Sequence, residues 1–163
     1  MGDADTAPAD AERFMRIALQ SAERGMAAGG PPVGACLVSG SDVLASGHNA
    51  VISELDITAH AEIVVIREAC RQSRSLSLSD ASLYVTIEPC PMCLTACYYA
   101  GIKNIFFGAS IEALDAVTSN ELCTDHRQWL PEDSGLLVTG GMLSEASEAL
   151  IAQWQSMVQG RRV

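Results

Sequence analysis

Two short segments constrain this chain more than any other feature: His60-Ala61-Glu62 and Pro89-Cys90-Pro91-Met92-Cys93. A C-x-x-C pair at the start of a helix puts two sulfurs on adjacent sides of one turn, close enough to share an ion. The free N–H groups and the positive end of the helix dipole there favour thiolate over thiol. One imidazole, from His60, completes a three-ligand set, and a zinc site with three protein ligands keeps its fourth position for water, whereas four would close it. Any fold for this chain therefore has to bring residue 60 beside residues 90 and 93 across an intervening helix and strand. Glu62, two residues from His60 at a helix start, is the carboxylate placed on the same side.

Other readings of these residues are plainer. A single histidine such as His60 is often a satisfied core or cap residue, and Cys90 with Cys93 is compatible with a redox pair or half of a structural zinc knuckle. Against these, the chain has no second C-x-x-C to complete a four-cysteine site and no thioredoxin-like opening around the motif. The joint pattern favours catalytic zinc. Cys97, four residues beyond Cys93, is read as a small buried residue, as are Cys36, Cys70 and Cys123, because free cysteine packs like a hydrophobe. His48 reads as a loop residue and His126 as exposed.

Around the motifs the chain alternates helix and strand. Phe14, Ile17, Ala18 and Ala22 recur at helical spacing within 9–28, and Gly29-Gly30 stops that helix. Residues 33–38 and 43–46 read as a hairpin, followed by an irregular loop through Asp56 and a helix over 59–72 capped by Thr58. A strand at 82–87 ends at Glu88-Pro89, where the next helix opens and runs through Cys90, Cys93 and Cys97 to Gly101. Strands at 102–107 and 135–139 follow, with a short helical or irregular stretch between them from Ser110, and a helix over 144–158 closes the chain. This order predicts an α/β fold, a three-layer α/β/α domain with a mixed sheet, spanning 9–163 after a disordered tail at 1–8.

Charge narrows the partners. Twenty acidic against ten basic residues leave a formal charge of −10, which opposes a phosphate backbone and makes a polynucleotide an unlikely partner. The acidic start Met1-Gly2-Asp3 suits neither a signal peptide nor myristoylation, and no apolar run is long enough to span a membrane. The expectation is a cytoplasmic protein with no membrane partner, whose six cysteines serve a metal rather than disulfides.

At these motifs the chain resembles the cytidine and deoxycytidylate deaminase superfamily, and more closely its guanine deaminase, yeast-type cytosine deaminase and tRNA adenosine deaminase branch. The resemblance runs from Phe14 to Gly108. It is carried by Pro32-Val33-Gly34-Ala35, Gly47-His48-Asn49, Thr58-Ala59-His60-Ala61-Glu62 and Leu83-Tyr84-Val85-Thr86-Ile87-Glu88-Pro89-Cys90-Pro91-Met92-Cys93. It implies a five-stranded sheet flanked by helices, a homodimer, and Zn2+ held by His60, Cys90 and Cys93. Glu62 is then expected to move protons in a hydrolysis that releases ammonia from a small amino-heterocycle.

The resemblance also implies that Asn49 hydrogen-bonds the base, although as a residue type Asn49 suits a turn equally well. Pro91-Met92 and Tyr98-Tyr99-Ala100 are most similar to guanine deaminases, whose base-reading carboxylate falls by position on Glu121; its alternative is a solvated surface acid. Asn120-Glu121 stands where that family has an acidic pair, and Gln159-Gly160-Arg161-Arg162-Val163 replaces its aromatic tail. Guanine is the favoured substrate. Cytosine, a nucleoside, tRNA adenosine or an unusual aminated heterocycle stay open, as does a non-enzymatic structural zinc protein.

Overall fold

The computed structural model describes residues 10–118 and 133–159, so the tail at 1–8, Glu121, Cys123 and His126 lie outside the described residues. Helix α1 (Ala11–Ala27) buries one stripe, including Phe14, Met15, Ala18, Ala22 and Met26. The hairpin follows as β1 (Gly34–Ser39) and β2 (Asp42–His48), paired antiparallel. Alternation along β1 serves two faces: Ala35 and Leu37 join one buried cluster, Cys36 and Val38 another.

A helix of four residues, α2 (Val51–Glu54), lies inside the stretch expected to be irregular, and α3 spans Ala61–Ser73. Strand β3 (Ala81–Ile87) is buried on both faces, α4 runs from Pro91 to Ala100, and β4 is Asn104–Ala109. Helix α5 (Ile111–Thr118), strand β5 (Leu137–Thr139) and helix α6 (Ser144–Gln159) complete the order.

The five strands lie in the order β2-β1-β3-β4-β5. β1 is antiparallel to both neighbours, while β3, β4 and β5 run parallel, which makes the mixed sheet that the alternation of elements predicts. One face packs on α3 and α4 through Val65, Ala69, Cys97 and Ala100. The other packs on α1 and α6 through Phe14, Tyr84 and Leu150, with Tyr84 stacked on Phe106 at 5.0 Å between centroids. The helix–sheet–helix layering is thus observed directly.

Contact between α1 and the sheet is closest at Gly34, where a Cβ would stand 2.1 Å from the Ala18 carbonyl oxygen. Only glycine lets the helix backbone lie against the strand there. Thr86 closes the same corner: its hydroxyl accepts from Gly34 N at 3.1 Å and donates to Pro32 O at 3.0 Å. These buried bonds fix the 31–34 segment against the end of β3.

Two helix starts differ from expectation. His60 is the residue preceding α3, while Thr58 donates its hydroxyl to Asp56 Oδ1 at 2.7 Å and caps nothing. Likewise Cys90, not Pro89, precedes α4, so Pro91 is the proline in the first turn. Either proline satisfies the first-turn rule, since that position needs no N–H.

Candidate metal centre and its pocket

His60 and Cys90 occupy equivalent places, each in extended backbone directly before a helix, with φ/ψ of −63/155 and −72/167. The two helix N-termini converge, and Cys93 reaches the same point from the first turn of α4. His60 Nδ1 lies 3.6 Å from Cys90 Sγ and 3.6 Å from Cys93 Sγ, and the sulfurs are 3.6 Å apart. Around a tetrahedral zinc, bonds of about 2.3 Å to sulfur and 2.0–2.1 Å to nitrogen put the ligand atoms roughly 3.6–3.8 Å apart. The triangle fits that ion, and its three residues form the group among the described residues that could hold a metal. Cys97, a full turn further along α4, is fully buried outside the group, and burial pushes its thiol up to about 12.

Glu62 enters the first turn of α3 at 3% exposure, and its Oε2 is enclosed with no hydrogen-bond partner among the described residues. Desolvation raises its carboxyl to about 7. Cys90 moves the other way, held at about 4 chiefly because the Cys93 thiol donates to it. Donating to Cys90, together with burial, pushes Cys93 upward, and the Cys90 sulfur raises His60. A ligand triangle of zinc dimensions, beside a carboxylate with one enclosed oxygen that has no partner among the described residues, forms a site suited to activating water.

His60, Glu62 and Cys90 form part of the wall of a cavity of about 740 Å3. Asn49, 9% exposed, is in that wall, and its Oδ1 accepts from Val51 N at 3.1 Å. The oxygen thus builds the turn, the plainer of the two sequence readings, and the side chain stands in the pocket wall. His48 is more than a loop residue, since it ends β2 and its ring packs so close to α1 that a Cβ on Gly25 would meet it at 2.8 Å.

Sequence reasoning missed several wall residues. Glu88 contributes a carboxylate whose Oε2 accepts from Ile111 N at 3.2 Å, tying the end of β3 to the start of α5. Asp115 on α5, with Trp154 and Val158 on α6, supplies the side built by the last third of the chain. A signal for Asp115 existed: Ile111, Leu114, Asp115 and Thr118 follow helical spacing, so a carboxylate interrupts an otherwise apolar stripe.

Residues 8–109 match the family described as the cytidine and deoxycytidylate deaminase zinc-binding region. The chain belongs to that deaminase family. Like its relatives it is a hydrolytic deaminase of the zinc type, with Zn2+ as cofactor. It is 35% identical over 155 residues to the tRNA-specific adenosine deaminase of Haemophilus influenzae, covering 93% of this chain and 87% of the relative. It is 43% identical to the guanine deaminase of Bacillus subtilis over 99 residues, 60% of this chain and 64% of that one. Among solved structures, the guanine deaminase from Nitrosomonas europaea superposes with a TM-score of 0.78 at 25% identity, covering 93% of this deaminase and 86% of its counterpart. No helix among the described residues is long and apolar enough to cross a membrane.

Proposed function

We propose that this deaminase replaces the exocyclic amino group of a small, unphosphorylated amino-heterocycle by oxygen, with guanine the first substrate to test. One observation supports the small-molecule reading above all: among the described residues the pocket wall offers Asn49, Glu62, Glu88 and Asp115, and neither lysine nor arginine. Carboxylates suit the N–H donors of a neutral base and repel phosphate.

In this reading His60 Nδ1 and the sulfurs of Cys90 and Cys93 hold the zinc. When bound, zinc lowers the pKa of a water toward neutrality. Glu62 takes a proton from that water and passes it to the ring nitrogen beside the carbon under attack. It then carries the second proton to the departing amine, so that water and the amino compound leave as the oxo compound and ammonia. A carboxyl near 7 is suited to both directions of transfer. Asn49 donates from its amide nitrogen to the base and sets its angle. The expected homodimer would cover Leu55, Ile57 and Tyr99, which are exposed apolar side chains; sedimentation at micromolar concentration tests it.

A second reading, tRNA adenosine deamination, is favoured by the 35% identity to the Haemophilus influenzae enzyme. Ammonia release from guanine, cytosine, adenosine, cytidine and a short tRNA anticodon stem, each offered to the zinc-loaded protein, separates the two. Guanine is expected to turn over. Turnover of the stem alone would replace the small-molecule reading with the second.

A further inference from the structure

Asp115 is 6% exposed, and its Oδ1 is shut off from water with no hydrogen-bond partner among the described residues. The hydroxyl of Thr118 comes within 3.4 Å of its main-chain carbonyl and leaves the carboxylate alone. None of the ion pairs among the described residues includes it. A buried carboxylate oxygen with no donor costs free energy in the free protein, so it calls for a partner that arrives later. Asp115 is also part of the wall of the pocket that holds Asn49 and Glu62.

Three other polar side chains of that wall already have a task. Asn49 Oδ1 accepts from Val51, Glu88 Oε2 accepts from Ile111, and Glu62 has the proton transfer to perform. Among these four groups, Asp115 is the one whose buried oxygen has neither a partner nor a task. Rotation about χ2 is broad and nearly two-fold for aspartate, so either oxygen can turn to the pocket.

We propose that Asp115 is a specificity residue whose carboxylate accepts a hydrogen bond from an N–H of the bound base, either a ring imino group or a second amino group. This rests on, and deepens, the reading of the pocket as one for a small amino-heterocycle. A base that presents a lone pair or a methyl group at that position leaves the carboxylate unpaired and is rejected. A charge-assisted bond of this kind discriminates by roughly 10–100-fold.

The experiment pairs ligand changes with protein changes. Zinc-loaded native enzyme, Asp115→Asn and Asp115→Ala are given guanine and its 1-, 7- and 9-methyl derivatives, with zinc content and melting temperature recorded for each. One methyl derivative is expected to lose roughly 10–100-fold in kcat/KM on the native enzyme and less than about 3-fold on Asp115→Ala. Both variants are expected to melt at or above the native temperature, because each removes a carboxylate with a buried oxygen that has no partner among the described residues. Equal methyl penalties on native and variant enzymes would overturn the proposal, as would a lower melting temperature in both variants with guanine turnover unchanged. Should the native enzyme leave guanine intact and deaminate cytosine or adenosine, the guanine reading falls. N-methylated forms of that base then decide Asp115 by the same comparison.

Discussion

Glu62 is held in a place that costs the free carboxylate its hydration, and that cost is the source of its usefulness as a proton carrier. Glu62→Gln keeps the shape and loses the proton; it is expected to retain one zinc per chain while ammonia release falls roughly 10²–10⁴-fold. Full activity in that variant would show that Glu62 is not the proton carrier. The same burial has a stability signature once zinc is stripped by a chelator. Glu62 goes from 4.5 to about 7 on folding, so its contribution is fully present below pH 4.5 and is lost as pH rises through 7. That loss is on the order of 3 kcal/mol. Cys90 opposes it, contributing most at high pH and losing its contribution as pH falls through about 4. The difference between native and Glu62→Gln melting curves across this window reports the carboxylate together with its effect on His60, Cys90 and Cys93. The grouping of His60, Glu62, Cys90 and Cys93 was legible from residue type and spacing, because a metal site restricts both. Glu88 was not, and Asp115 showed only as a carboxylate within the stripe of α5, because their places in the pocket depend on how α5 meets the end of β3.

Helices α3 and α4 meet at their N-termini, and a shared ion is expected to join them more strongly than their own packing does. Chelation should therefore lower the melting temperature, with zinc restoring it; a ligand present at a thousand times its Kd contributes about 4 kcal/mol. An unchanged melting temperature would place the ion away from this joint. The corner beneath it is tested by Thr86→Val, which keeps the side-chain shape but strips partners from Gly34 N and Pro32 O. We expect a loss of about 2–4 kcal/mol in denaturant unfolding. KM should rise as well, since Pro31 and Val33 line the pocket from that segment. Long periodic elements such as α1 and α6 were readable to within a few residues. The four-residue α2 was not, being too short to show a period, and the start of α4 was ambiguous between Pro89 and Pro91.

Over the whole molecule, the charge of −10 and the pocket's carboxylates predict that turnover of a neutral base is almost indifferent to salt. Raising sodium chloride from about 50 to 500 mM should change kcat/KM by less than about two-fold, whereas a phosphate-bearing substrate responds steeply. A steep response would point to a nucleic acid. The α/β class and the mixed sheet could be read from the alternation of elements, but the order β2-β1-β3-β4-β5 could not, because partner and direction are set by long-range packing. That order puts Asn49 and the zinc triangle within the first two thirds of the chain, while Asp115, Trp154 and Val158 come from beyond it. The stretch that matches the family ends at residue 109, two residues before α5 begins. On the proposed reading the proton chemistry comes from the first length of polypeptide and part of the substrate choice, through Asp115, from the second. A chimera that grafts a relative's α5-to-terminus segment onto residues 1–109 should keep the deamination chemistry and adopt the donor's appetite.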